Sequence, residues 1–411
     1  MARRRGGTVV AALAGVVATA GATAFLGAPA SGADDGRIMA AIAAALPADG
    51  RTDVVLIDLP AITGAPRVRA ATRVNAAPAT VRAVLLDPTH YRALIPSLIR
   101  SDVHRDETGT PIVDWELEVP LFNLSGRFAL RARPGGVELD LYDGDFAPGH
   151  LLFWIAPGPG GTSVLSVDGS MDVRRSSWLL RRILNRSPFG APAALSAAID
   201  VALRGVALRA EHPTGLEAWR PTAPPGPPAA WQPDARPLAS PALAPLRAAG
   251  VVAMVARRPD ERLAGVAAAI ALDVPATSVD PTLRDPRSWR AFPGWKTVQL
   301  VPGAAGPGGR VEDDLPLLEL DATYAAVGPA RWTAIDGATR GARLGWTVAP
   351  DGAPDEDRRA LAALSLYPRL EATGSIARRF IAAEPLLESG LALALAFADV
   401  ASVKVALTRP R

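Results

Sequence analysis

The feature that most constrains this chain is an internal repeat whose period is close to half its length. The segment from Asp87 to Leu94 (DPTHYRAL) recurs 198 positions later as Asp285 to Phe292 (DPRSWRAF). Further matches keep the same order at offsets of 192 to 199: Val54–Ile57 with Val251–Met254, Trp154–Pro157 with Trp346–Pro350, and Val206–Leu208 with Val405–Leu407. Solenoid repeats span about 20–50 residues, so a period this long indicates a duplicated domain.

The domain boundaries follow from a proline-rich interruption between the two copies. A chain of 411 residues suits two domains of about 150 residues plus connecting segments. Residues 213–241 are dense in proline and lack apolar periodicity, which favours an extended spacer. We therefore predict a first domain over residues 34–212, a linker over 213–241, and a second, divergent domain over 242–411.

The N-terminal 33 residues are typical of a signal peptide. Three arginines, Arg3 to Arg5, precede an uncharged stretch from Val9 to Leu26 and then a run of small residues. Eighteen uncharged residues could also just span a bilayer, so a retained membrane anchor is the alternative. The stretch is rich in Ala, Gly and Thr, which favours cleavage. We expect an exported bacterial protein, periplasmic or extracellular.

Charge and cysteine content exclude several classes of function. Without those three arginines the chain has 41 basic and 41 acidic residues. A neutral chain has no electrostatic footprint for a polyanion, so we expect no nucleic-acid partner. There is no cysteine, which excludes disulfides, thiolate metal sites and cysteine nucleophiles. Composition leaves the oligomeric state open.

Hydrophobic periodicity predicts an α+β fold in each copy. In the first copy, Pro78 begins a helix that reaches Leu86, and a second short helix reaches Leu94. Apolar and polar residues then alternate along successive segments, as in half-buried antiparallel strands, before a long helix over residues 191–211. In that helix Asp200 and Arg204 fall opposite the apolar stripe. We expect two tandem domains, each a curved antiparallel sheet around a long C-terminal helix, with a cavity on the concave side.

Two groups of residues carry a resemblance to a known family. One is the helix-to-strand segment with Asp87, Tyr91, Pro96, Ser101 and Val103. The other is the central strand pair with Gly144, Gly149, Trp154, Gly161 and Thr162. With these spacings the chain resembles the START-like superfamily, also called SRPBCC or Bet v 1-like helix-grip proteins, and within it the coenzyme-Q-binding and polyketide cyclase/dehydrase-like branch.

This resemblance covers residues 65–212 well and residues 260–408 more weakly. The superfamily shares a cavity more than a reaction. The resemblance therefore implies a hydrophobic ligand, such as a lipid, an isoprenoid or a quinone-like molecule, without implying a particular chemistry.

Six aromatic residues are the candidate cavity lining. Tyr91 and Trp289 occupy equivalent positions in the two copies, and Trp154 and Trp346 are also matched by the repeat. Trp115 and Phe128 lie on the apolar faces of predicted strands. Large apolar side chains dominate small-molecule pockets, although each of these residues could equally be plain core packing.

No catalytic constellation emerges from the sequence. The chain has four histidines: His90, His104, His150 and His212. Neither His90 nor His150 has a second histidine or a carboxylate at ligand spacing, so a metal site is not expected. There is also no phosphate-binding glycine loop and no nucleophile elbow, so we expect no metal and no cofactor.

The leading hypothesis is binding of a hydrophobic small molecule in an apolar cavity. One alternative is a polyketide cyclase- or dehydratase-like activity in the first copy, which would need an acid or base positioned inside the cavity. Another is a ligand-free structural or interaction module of the envelope, and a peripheral contact with a membrane also stays open.

Overall fold

The structure is a computed structural model, and it describes most of the chain from residue 32 onward. The described residues are 32–59, 65–95, 97–119, 122–172, 176, 178–184, 187–213, 235–293, 295–302, 306–313, 321–351, 358–370, 378–379, 381–382 and 384–408. Nearly all of the predicted signal peptide and most of the predicted linker lie outside these residues. Both therefore stay predictions.

The two halves each contain eight described strands and end in a long helix, with shorter helices that differ between them. The first half comprises α1 (Gly32–Ala44), β1 (Thr52–Asp58), β2 (Arg67–Val74), α2 (Pro78–Leu86), α3 (Tyr91–Leu94), β3 (Leu98–Arg105), β4 (Pro111–Val119), β5 (Phe122–Arg133), β6 (Gly136–Gly144), β7 (Gly149–Pro157), β8 (Ser163–Met171), α4 (Trp178–Leu184) and α5 (Gly190–Glu211). The second half comprises α6 (Ala244–Ala249), β9 (Gly250–Arg257), β10 (Leu263–Leu272), α7 (Ala276–Arg284), β11 (Trp295–Val301), β12 (Gly308–Asp313), β13 (Asp321–Gly328), β14 (Arg331–Asp336), β15 (Arg343–Pro350), β16 (Ala360–Tyr367) and α8 (Leu387–Thr408).

All sixteen described strands form one antiparallel sheet. In the first half the order is β2-β8-β7-β6-β5-β4-β3, and in the second it is β10-β16-β15-β14-β13-β12-β11. Each half thus pairs its early strand with its last strand and ends in a long helix packed on the sheet. The predicted combination of an antiparallel sheet with helices is confirmed.

The two halves of this sheet are joined through their leading strands, β1 and β9. The sequence did not predict this pairing. β1 pairs with β9 in antiparallel register, with Val54 opposite Met254 and Ile57 opposite Val251. The repeat offset of 197 maps Val54 onto Val251 and Ile57 onto Met254. The offset therefore converts the pair Val54–Met254 into the pair Val251–Ile57, which is also observed. The junction thus has a local pseudo-twofold axis. Each leading strand thereby pairs an edge that would otherwise be exposed.

The leading strands are buried on both faces, because each face of the sheet is covered there by other elements. Val55 and Ile57 belong to the main core, on the face that carries the long helices. Val54 and Leu56 belong to a second cluster on the opposite face, covered by Ile42 of α1 and by residues near α6. Strand side chains alternate between faces, so β1 contributes to both layers.

The long helices α5 and α8 pack against each other as well as against the sheet. A Cβ added at Gly390 would lie 2.9 Å from the backbone oxygen of Ala197, so the helices approach closely there. By length and composition both helices could cross a membrane, but 78% and 72% of their most apolar windows are buried in the fold, as in the core helices of soluble proteins.

The predicted polar side of α5 is wrong. Asp200 and Arg204 were expected opposite the buried stripe, yet both side chains are almost completely buried. An amphipathic pattern assumes one buried face, whereas α5 packs against the sheet on one side and against α8 on another.

Candidate functional site

A small cavity lies between α8 and the sheet of the second half. Its volume is about 20 Å³. Its lining combines apolar side chains with several polar groups: Trp295, Val311, Tyr324, Thr339, Leu344, Leu366, Pro368, Leu395 and Asp399. A cavity of this size has room for about one water molecule.

The most unusual residue of this cavity is Asp399. It lies on α8 one turn after Leu395, so both side chains are on the same face of the helix. Asp399 is 7% exposed, and its Oδ1 accepts a hydrogen bond of 2.7 Å from Nε1 of Trp295. Burial raises the pKa of Asp399 to about 7, although the indole N–H favours the charged form. Near neutral pH this carboxyl group can therefore either donate or accept a hydrogen bond.

An aromatic cluster holds Trp295 in place. The centroid of Trp289 lies 5.0 Å from that of Trp295 and 4.8 Å from that of Trp332, both in edge-to-face geometry. Phe292 adds a further edge contact, 5.4 Å from Trp295. Rings packed in this way have little rotational freedom. The donor that meets Asp399 is thus fixed by the surrounding core.

Tyr91 and Trp289, predicted as a matched pair, have the same local role in the two halves. The Tyr91 hydroxyl donates to the carbonyl oxygen of Leu85, and Nε1 of Trp289 donates to that of Leu283 at 3.1 Å. Both acceptors lie in the last turn of a helix, α2 or α7, where carbonyls have no helical partner. The polar atoms of both residues are therefore used within the fold.

Trp115 and Phe128 lie in the core of the first half, as their strand faces predicted. The ring of Phe128 stacks on Tyr91 at 6.2 Å, and that of Trp115 on Phe146 at 5.4 Å. Nε1 of Trp115 is buried without a hydrogen-bond partner. Packing is also tight at Gly169, where an added Cβ would lie 2.6 Å from the side chain of Ile199. The structure brings these aromatic residues together as packed side chains.

The predicted equivalence of Trp154 and Trp346 is wrong by one residue. Pro157 and Pro350 are the true counterparts, because they pair with Ser163 and Ala360, the first residues of β8 and β16. The tryptophans lie three and four residues before these prolines. Trp346 therefore corresponds to Phe153, and the two tryptophans point to opposite faces of the sheet.

This shift removes Trp154 from the interior that the long helices cover. Trp154 packs, partly buried, against the outer cluster beneath α1. Trp346 is buried in the main core, and its Nε1 has no hydrogen-bond partner. Of the six candidate residues, Trp154 alone lies on the wrong face for a ligand held between the sheet and a long helix.

Sequence reasoning also missed a buried charge cluster at the junction of the halves. Nη2 of Arg257, at the end of β9, lies 2.8 Å and 2.9 Å from the carboxylate oxygens of Asp200 on α5. The same guanidinium donates to Asp53 of β1. The hydroxyl of Ser389 on α8 donates to Asp200 at 2.6 Å. Four elements from both halves are thus linked through one arginine.

The neighbouring charges and the burial of this cluster shift the pKa of Asp200. Burial raises the pKa of Asp200 and the negative charge of Asp53 adds to the effect, although Arg257 opposes it. The cluster is fully enclosed, none of its residues lines the cavity beside Asp399, and it links elements of both halves, so it holds the two halves together.

His150 is not placed for catalysis. Its side chain is 45% exposed, and Nε2 lies 3.0 Å from Oε1 of Glu138 on the neighbouring strand. Partial burial works against ionisation of Glu138, but hydrogen bonds from His150 and Arg133 hold its pKa below the usual range. His150 therefore takes part in a hydrogen bond at the surface of the sheet.

Comparison with known proteins gives partial likenesses. No family model matches the chain, and no curated protein matches it. Among solved structures, a START superfamily protein from Mycobacterium smegmatis is 17% identical, with a TM-score of 0.29, and covers 36% of this chain and 99% of its own. The Zhui aromatase/cyclase from Streptomyces sp. R1128 is 15% identical, with a TM-score of 0.30, over 36% and 93%.

A two-domain protein extends over more of the chain. The di-domain ARO/CYC BexL from the BE-7585A biosynthetic pathway is 12% identical, with a TM-score of 0.28, and covers 84% of this chain and 99% of its own. These TM-scores are low, so the fold of this chain is described from its own strand order alone.

Proposed function

We propose that this protein binds a small hydrophobic molecule in the second half, and that Asp399 recognises a polar group on it. The observation that carries the proposal is a carboxyl group buried in an aromatic interior, at the edge of a cavity. Burying such a group is costly, and an apolar residue would pack α8 more favourably. Apolar walls with a few convergent polar groups are typical of ligand sites.

The size of the cavity sets a condition on binding. A lipid, isoprenoid or quinone-like molecule is far larger than 20 Å³. Binding therefore requires side chains such as Leu395 to move away from the sheet. The ligand then shifts the population toward an open form, to the extent that it prefers that form. We place this binding outside the cytoplasm, in line with the predicted signal peptide.

Acid–base catalysis is the second candidate, because the pKa of Asp399 is near 7. A general acid or base works best when its pKa is close to the working pH. The sequence hypothesis placed cyclase- or dehydratase-like chemistry in the first half. The titratable group that could support it lies in the second half.

A binding assay with paired variants tests the proposal. The chain from residue 32 is titrated with cis-parinaric acid and with a short-chain ubiquinone analogue, and solvent extracts of the purified protein are examined by mass spectrometry. We expect Asp399→Asn to weaken binding of cis-parinaric acid by about tenfold, since the neutral carboxyl group donates to the carboxylate of this probe a charge-assisted hydrogen bond that is stronger than the bond from an amide. Trp115→Phe, which removes an unpaired N–H in the first half, is the matched control and is expected to leave binding unchanged.

Two results would overturn the proposal. One is that the wild-type protein binds neither probe and carries no extractable ligand, which would favour the envelope module without a ligand. The other is that Trp115→Phe weakens binding while Asp399→Asn does not, which would place the site in the first half.

A further inference from the structure

The short helix α4 presents an unusual exposed face. Trp178 is 66% exposed, the largest exposed fraction among the described large hydrophobic residues that reach the surface. Arg181 and Arg182 are also exposed. These residues are spaced i, i+3 and i+4, so they lie on one side of the helix, while Leu184 is buried in the core. Most of the surface of this tryptophan therefore lies outside the core.

The sequence around α4 is strongly basic. Residues 173–189 contain five arginines and no acidic residue. The chain as a whole is close to neutral once its N-terminal arginines are set aside, so this segment is a local concentration of positive charge. Such a combination of arginine and an exposed aromatic ring is typical of segments that lie at a membrane surface.

The second half repeats the arginine pair. Arg378 and Arg379 follow Arg181 and Arg182 at an offset of 197, the offset that also relates α5 to α8. Both are exposed in a helical turn, and Ile381 behind them is buried as Leu184 is in the first half. Each pair directly precedes a long helix, and the two long helices lie on the same face of the sheet. The molecule therefore has two basic sites on its helix-bearing face.

We infer that this face docks on an anionic phospholipid membrane, with Trp178 at the level of the headgroups and the two arginine pairs on lipid phosphates. Charge complementarity favours an anionic surface, because guanidinium groups bind phosphate oxygens in bidentate geometry. The exposed indole distinguishes a lipid surface from a purely ionic partner, since tryptophan concentrates at the membrane–water interface. The inference does not depend on the proposed ligand site.

Vesicle sedimentation tests this inference directly. The chain from residue 32 contains every described element and lacks the apolar N-terminal stretch, which could insert into lipid by itself. It is mixed with vesicles of phosphatidylcholine alone or with 30% phosphatidylglycerol. We expect binding to the anionic vesicles that weakens with salt, and little binding to the neutral ones.

Variants then locate the contact. Each arginine near an anionic surface contributes about fivefold to partitioning, so Arg181→Gln/Arg182→Gln is expected to weaken binding by about 25-fold. Arg378→Gln/Arg379→Gln is expected to weaken it to a similar extent. Arg100→Gln/Arg105→Gln, which removes two exposed charges from edge strand β3, is the matched control and is expected to have little effect.

The fluorescence of Trp178 gives an independent measurement. Brominated lipids should quench part of the emission on binding, and Trp178→Phe should abolish this quenching. The inference is overturned if the protein does not bind anionic vesicles at low salt, or if the control pair weakens binding as much as the α4 pair. Equal binding to neutral vesicles would also contradict it, since the arginines would then have no role.

Discussion

The two halves share one topology but differ in the environment of their buried acids. In the first half, Asp53 and Asp200 face the junction between the halves, where Arg257 binds both. In the second half, Asp399 faces the interior of its own domain and is met by the indole N–H of Trp295. Buried charge in the first case is neutralised and structural. In the second it is held beside a cavity, where a ligand could use it. Under the proposed function, the buried acids of the two halves therefore have different roles, one in stability and one in binding.

Breaking the junction is one of the largest expected effects. In Arg257→Met two buried carboxylates lose their cation, which we expect to cost about 3–5 kcal/mol of unfolding free energy. Urea denaturation followed by circular dichroism measures it. Arg284→Met, which breaks an exposed pair with Asp280 on α7, serves as the control and should change stability by less than about 0.5 kcal/mol.

The combined variant Asp53→Leu/Asp200→Leu/Arg257→Met tests whether the loss of stability comes from the unpaired charges. Replacing the whole cluster by apolar groups should recover most of the lost stability, because no unpaired charge remains. If Arg257→Met alone costs less than about 1 kcal/mol, the cluster does not hold the halves together.

The next effect is a pH dependence of folding stability that Asp399 produces. Its pKa rises from an ordinary value of about 3.8 to about 7, so the folded protein holds this proton more tightly than the unfolded chain. Stability should therefore fall as pH rises from about 4 to about 7, by at most about 1.4 kcal/mol per pH unit. Asp399→Asn should remove this component, making the variant more stable than the wild type above pH 7.

Comparing the wild type with Asp399→Asn separates the contribution of Asp399 to the pH dependence of stability from that of other buried acids. Burial also raises the pKa of Glu384 to about 7, but this residue is present in both proteins and cancels in the difference. Denaturation at pH 4.5 and pH 8 gives that difference. Parallel stability curves for the wild type and Asp399→Asn would mean that Asp399 is charged in the folded protein throughout this range.

The sequence predicted those features that depend on local pattern. Alternation of apolar and polar residues predicted the strands of the first half, and Pro78 marked the beginning of α2. The junction could not be predicted in this way, because the pairing of β1 with β9 joins segments about 200 residues apart. The burial of Asp200 depends on that junction, since its partner Arg257 belongs to the other half.

The candidate site was partly predictable. The aromatic residues of the core were found from their strand faces, but the face of Trp154 was misplaced by a one-residue offset in the repeat alignment. Asp399 was missed, although a single acid within the apolar stretch from Leu391 to Val403 was a visible signal. What the sequence lacked was the position of Trp295 across the cavity, which depends on tertiary packing.

A third prediction tests the corrected equivalence of positions between β7 and β15, which are corresponding strands of the two halves. Trp346→Ala should cost about 3–5 kcal/mol, because a fully packed indole is replaced by a cavity in the main core. Phe153→Ala, at the equivalent position, should cost a similar amount. Trp154→Ala should cost only about 1–2 kcal/mol, since this ring is partly exposed on the outer face. Equal costs for the two tryptophans in urea denaturation would restore their equivalence.

The smallest expected effect tests the feature that the halves share. Tyr91→Phe keeps the ring but removes the donor to Leu85, and the carbonyl at the end of α2 is then buried without its partner. We expect a loss of about 1 kcal/mol, together with faster amide exchange in the last turn of α2. Tyr142→Phe, at a half-exposed tyrosine, is the control and should leave stability unchanged. Trp289→Phe removes the same bond in the second half but also shortens the ring, so its cost should be larger. If Tyr91→Phe is as stable as the wild type, the hydroxyl does not hold the helix end, and Tyr91 would be available to a ligand after all.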